Sequence, residues 1–205
     1  MKRIDKLILG LIFGSSFPIL LFLIAVTIWF YFFQNSNVFY FVFAGLLTGL
    51  FIDLIYLKRL IKNGFDLPNW VLIGLYLFYS ICIYGLFMGF PVFNLIMGMI
   101  AGYYFGKRIL YKNISLIESK PIIRQVSFFT SLIMLLICIS SGFIANIDNG
   151  VGKDLQLMFR LQFEITKAMI WEIILIGGLV LIIAQYFLTK TILIKTIKNN
   201  KTNAR

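Results

Sequence analysis

Long apolar runs alternate with short polar or basic connections along this chain. Six runs can be drawn: Leu7 to Phe33, Val38 to Leu57, Asn69 to Met88, Val92 to Gly106, Ile122 to Ala145 and Ala168 to Thr189. Most approach the roughly 20 residues that a helix needs to cross about 30 Å of hydrocarbon. The fourth is short, and it gains length by taking in residues 89–91 or by running on to Leu110, which gives a span near 89–108. Backbone in lipid must satisfy its own hydrogen bonds, so runs of this kind predict an all-α fold. The expected architecture is one domain over residues 1–205, a bundle of six transmembrane helices.

Charge orients those six spans. With the N-terminus in the cytoplasm, the inner segments collect Lys2, Arg3 and Lys6, then Lys58, Arg59 and Lys62, then Lys107, Arg108, Lys112, Lys120 and Arg124, and finally Lys190, Lys195, Lys198, Lys201 and Arg205. The outer segments keep only Lys153, Arg160 and Lys167. A positive-inside bias of this size predicts both termini in the cytoplasm, and an odd number of spans would scramble it. The expected location is the plasma (inner) membrane of a prokaryotic cell, with the chain crossing it several times.

Composition narrows the function classes. With 60% hydrophobic and 13% charged residues, and no long polar stretch, the chain has no room for a catalytic domain outside the bilayer. The net charge of +11 belongs to residues beside span ends, where they meet anionic headgroups, so no nucleic-acid partner is expected. There is no histidine, which removes the commonest general base and the usual zinc and haem ligand. Neither an enzyme nor a metal or other cofactor is therefore expected. Cys82 and Cys138 fall in mid-span as small apolar fillers, with no structural disulfide. The first run follows a signal-like Met-Lys-Arg-Ile-Asp-Lys but continues for 27 residues without a small-x-small cleavage site, so it is expected to stay as an anchor.

The connections fix neighbours. Gln34 to Asn37 joins spans one and two, and Gly89, Phe90 and Pro91 join spans three and four, so each pair should form a tight antiparallel hairpin. On the inner side, Ser119 is expected to cap span five and Pro121 to open it. The outer segment 146–167 starts with Asp148, Asn149, Gly150 and Gly152. It becomes amphipathic through Leu155, Met158, Phe159 and Leu161 after a cap at Asp154, which predicts a short helix on the outer surface or over the mouth of the bundle. Trp29, Trp70 and Trp171 sit at span ends, as an aromatic belt requires. Gly14-Ser-Ser-Phe-Pro-Ile in span one faintly echoes Met88-Gly-Phe-Pro-Val in span four, which permits an inverted repeat.

Candidate functional positions fall in two groups. Gly10 and Gly14, Gly45 and Gly49, and Gly98, Gly102 and Gly106 repeat at four-residue spacing, forming grooves for close helix packing or for a partner membrane subunit. Asp53 continues the Gly45 and Gly49 face, and Asn94 begins the Gly98 face. A carboxylate within a span costs roughly 2.5 to 3.5 kcal/mol at mid-bilayer and normally has a partner or a task. For Asp53 the readings are an ion pair with Lys58, Arg59 or Arg108, a proton or cation site, or a snorkelling position near the cytoplasmic edge. For Glu172 they are pairing with Lys167 or Arg160, or recognition of a polar or cationic substrate. Pro18 removes a backbone donor beside Ser15 and Ser16 near the midplane, giving either a plain kink or a solute site built from freed backbone groups.

In size, span number and orientation the chain resembles the membrane-embedded substrate-binding components of energy-coupling-factor vitamin transporters. Those components carry an Ala-x-x-x-Ala face on the first helix for docking a coupling subunit, and this chain offers Gly10-x-x-x-Gly14 there, with a first outer loop of only four residues. The expected function is small-solute or ion transport or solute binding within the bilayer. Its site would lie near Ser15, Ser16 and Pro18, closed by the outer segment, with Asp53, Asn94 and Glu172 as further solute or ion contacts. The alternative is a scaffold, sensor or assembly subunit that binds other helices through its glycine faces.

Overall fold

The computed structural model describes residues 3–33, 37–87, 89–148, 150–160, 162–163 and 165–202. Lys2, Gln34, Asn35, Ser36, Met88, Asn149, Leu161 and Arg205 from the expectations above lie outside the described residues. So do the side chains of Arg3, Leu155, Met158, Phe159 and Lys201. All regular structure among the described residues is helical, and contacts divide the chain into two compact units, Met1–Asn69 and Trp70–Arg205. Among the described residues five helical segments are long and apolar enough to cross a membrane, Asp5–Phe32 counting as one, and many large apolar side chains on them face outward, such as Leu54 at 78% exposure. Such helices are compatible with a membrane location.

The first unit is a helix interrupted at one residue and packed against a continuous one. Helix α1 (Arg3–Gly14) and helix α2 (Ser16–Phe32) form one apolar segment interrupted only at Ser15. Pro18 has no N–H for the Gly14 carbonyl, so the ladder falters there. It resumes immediately, since Ser15 N–H donates to the Leu11 carbonyl at 3.3 Å and Ile19 N–H to the Ser15 carbonyl at 3.2 Å. The two hydroxyls turn back onto their own helix, Ser15 Oγ to the Leu11 carbonyl at 2.6 Å and Ser16 Oγ to the Phe13 carbonyl at 2.7 Å. The break is therefore a kink and not an unwound segment.

Helix α3 (Val38–Lys62) starts at Asn37, whose side chain accepts from Phe39 N–H at 3.0 Å, and it runs antiparallel to α1 and α2. Its glycine face carries the contact. A Cβ added at Gly45 would lie 2.7 Å from the Leu21 carbonyl oxygen, and one at Gly49 only 2.5 Å from Pro18 Cα. No side chain fits at either place, so backbone meets backbone. Gly10 and Gly14 receive the side chains of Ile61 and Leu57 in the same interface.

In the second unit, helix α4 (Asn69–Leu86) leads through Gly89, at φ +80°, into a 3₁₀ turn over Pro91–Asn94 and then helix α5 (Leu95–Tyr111). At 17 residues α5 is shorter than the five long helices, but seven of those residues are buried, including Gly98, Gly102 and Gly106. Helix α6 (Leu116–Ile147) begins earlier than its hydropathy suggests. Its cap is Ser115, whose hydroxyl accepts from Glu118 N–H while Glu118 bonds back to Ser115 N–H, a capping box. Ser119, the expected cap, lies inside the helix and donates to the Leu116 carbonyl. Pro121, the expected opening residue, falls on the second turn, where only one ladder bond is lost.

Helix α7 (Val151–Phe159) is the short outer-segment helix, closed by Arg160 in the left-handed conformation. Helix α8 (Lys167–Thr202) does not stop at Thr189. It continues through Lys190 to Thr202, 36 residues in all, or about 54 Å at 1.5 Å per residue. The extension stays helical because Leu193 and Ile197 pack with Ile109 of α5 and Val126 of α6 in a small core of their own. Hydropathy falls at Lys190, but the apolar stripe at helical spacing does not. Cys82 and Cys138 are free thiols.

Candidate functional site

Asp53 is the least compensated group in the first unit. Along α3 the residues facing α1 and α2 are Gly45, Gly49, Asp53, Leu57 and Ile61, one helical turn apart. Gly49 meets Pro18 and Phe17, while Leu57 meets Gly14. Asp53 lies between those two contacts, level with the kink at Ser15 to Phe17. It is 5% exposed, and among the described residues neither carboxylate oxygen has a hydrogen-bond partner. Lys58 and Arg59 are exposed, so neither supplies a buried counter-charge. Helix α3 continues for nine residues beyond Asp53, to Lys62, or about 13 Å. Ser15, Ser16, Pro18 and Asp53, picked separately from the sequence, thus converge on one place.

A second polar group runs through the core of the second unit. Gln185, on α8, is 1% exposed and donates from Nε2 to the Tyr76 hydroxyl of α4 at 3.1 Å, while its Oε1 has no partner. One turn on, the Thr189 hydroxyl lies 3.1 Å from that of Thr130 on α6, which also bonds to the Ser127 carbonyl. Ser131 donates to the Ile182 carbonyl at 2.8 Å. Gly98 makes this seam possible, because a Cβ there would run into the Gln185 amide and lie 2.7 Å from Thr189 Oγ1. Gly102 and Gly106 continue the contact, the first against the Thr189 carbonyl and the second against Thr196, so α5 and α8 run parallel.

Asn94 stands one turn before Gly98, at the end of the 3₁₀ turn. It is 2% exposed, with neither Oδ1 nor Nδ2 hydrogen-bonded. Glu172 stands elsewhere. It is exposed on α8, thirteen residues before Gln185, or about 20 Å along the helix. Near it, Gly142, Asn146, Lys167, Trp171 and Ile174 help line a void of about 10 Å³, room for about one water molecule.

Sequence reasoning passed over Tyr76, Thr130, Gln185 and Thr189. A signal existed, because Gln185 is the only amide in the sixth apolar run and Thr189 follows at helical spacing. Neutral polar residues cost far less in lipid than charges and so drew less notice.

These features define a class: an all-helical chain with apolar outer surfaces and buried polar groups within each unit. Comparison with protein families, curated proteins and solved structures found no match.

Proposed function

We propose that the chain is a polytopic membrane protein with six crossings and both ends in the cytoplasm, which binds and moves a small solute or ion within the bilayer. The observation that carries this reading is Asp53, a carboxylate with both oxygens unpartnered beside the Pro18 kink. A structural role would leave such a group paired. An unpaired one costs several kcal/mol or more and persists where it has a task. Helix α5 supplies the sixth crossing. It is short but largely surrounded by protein, and the 3₁₀ turn at its start extends its reach.

The alternative, a subunit without transport, relies on glycine faces gripping other helices. Those faces are taken up inside this chain, Gly45 and Gly49 against α2 and Gly98, Gly102 and Gly106 against α8. The test is native mass spectrometry of the protein gently extracted from its own membrane. A retained small polar molecule or ion, lost in Asp53→Asn, is the expected result. A stoichiometric protein partner with no bound solute would replace this reading with the subunit one.

A further inference from the structure

We infer that the ion taken at Asp53 is a proton and not a metal cation, a conclusion that rests on the transport reading and names its coupling ion. A metal ion entering a protein exchanges its water shell for several oxygens, roughly six to eight for Ca²⁺ and rings of carbonyls for alkali ions. The surroundings of Asp53 do not offer them. Among the described residues no three acidic, cysteine or histidine side chains come together. The Ser15 and Ser16 hydroxyls are turned onto their own helix, donating to the Leu11 and Phe13 carbonyls, so they add at most two oxygens, and neither is hydrogen-bonded to Asp53. Only the Gly14 carbonyl loses its partner to Pro18. One carboxylate, one freed carbonyl and two hydroxyl oxygens still fall short of the roughly six to eight oxygens of a Ca²⁺ shell. A proton needs a single oxygen.

The electrostatic setting fits the same ion. The helices packed against α3 in this unit, α1 and α2, carry no ionisable side chain between Leu7 and Phe30. On α3 itself the nearest are Tyr56, Lys58 and Arg59, all exposed. With no hydrogen-bonded cation on it among the described residues, the buried carboxylate is neutralised by an ion that arrives and leaves. Uptake forms one O–H bond on Asp53, and release breaks it, so charge at this position alternates between minus one and zero. A membrane-embedded acid that switches in this way is what a proton relay requires.

The experiment is infrared difference spectroscopy of the full chain in vesicles of phosphatidylcholine and phosphatidylglycerol, titrated with acid and alkali and then with NaCl, KCl and MgCl₂. The expected result is a protonated-carboxyl band that titrates with pH and ignores all three salts. Asp53→Asn should abolish it, and Asp53→Glu should shift its frequency. The glutamate variant keeps the test decisive if the asparagine variant does not fold. Absence of any such band from Asp53 across the titration would overturn the inference, as would its loss at fixed pH on adding a salt. These readouts need no solute. A titrating Asp53 in a protein that carries a stoichiometric partner chain and no solute by mass spectrometry would sink the transport reading and leave the proton site standing.

Discussion

Gly49 and Gly177 are the same residue type in different circumstances. A Cβ at Gly49 would lie 2.5 Å from Pro18 Cα, whereas one at Gly177 would meet nothing within 4 Å. Gly49→Ala must push α3 away from the kink, and such overpacking costs about 1–3 kcal/mol. Gly177→Ala gains helix propensity instead, up to about 1 kcal/mol. Thermal unfolding in detergent should therefore show a clear drop for the first variant and no drop for the second. The four-residue spacing of glycines was legible in the sequence, but which of them touch backbone was not. That depends on the facing helix, and nothing in the glycine's own neighbourhood along the chain reports it.

At the scale of elements, two helices behave differently from their hydropathy. The α1 and α2 segment is interrupted at Ser15, where Pro18 leaves the Gly14 carbonyl without its donor, the usual cause of a helix kink. Pro18→Ala restores that donor, so the segment should straighten. Spin labels at Leu7 and Phe30, both on exposed positions, should then move apart in pulsed electron paramagnetic resonance. Helix α8 outlasts its apolar run because Leu193, fully buried, and Ile197 hold the extension against α5 and α6. Leu193→Ala should cost about 2–5 kcal/mol, the usual range for emptying a packed leucine site. Chemical denaturation would detect it. If the extension were a loose tail, that substitution would change nothing.

For the molecule as a whole, the proposed six-crossing arrangement makes a prediction about sides. In a background with Cys82 and Cys138 replaced by alanine, Asn37→Cys and Lys153→Cys should react with a membrane-impermeant maleimide in intact cells. Asn113→Cys and Asn199→Cys should react only after the membrane is opened. Labelling of Lys153→Cys and Asn199→Cys from the same side would break the even count of spans. By itself, the sequence determined the helical class, the apolar runs, the basic connections and the glycine faces. Those features follow from hydropathy and from spacing along a helix, both local properties. Only the tertiary structure decided that Asp53 lies level with the kink and has no partner, that the chain divides into two compact units, and that Gln185 meets Tyr76 across 109 residues of chain. Pairings of this kind depend on which helix faces which and in what register, and a run of apolar residues looks the same whether lipid or protein covers it.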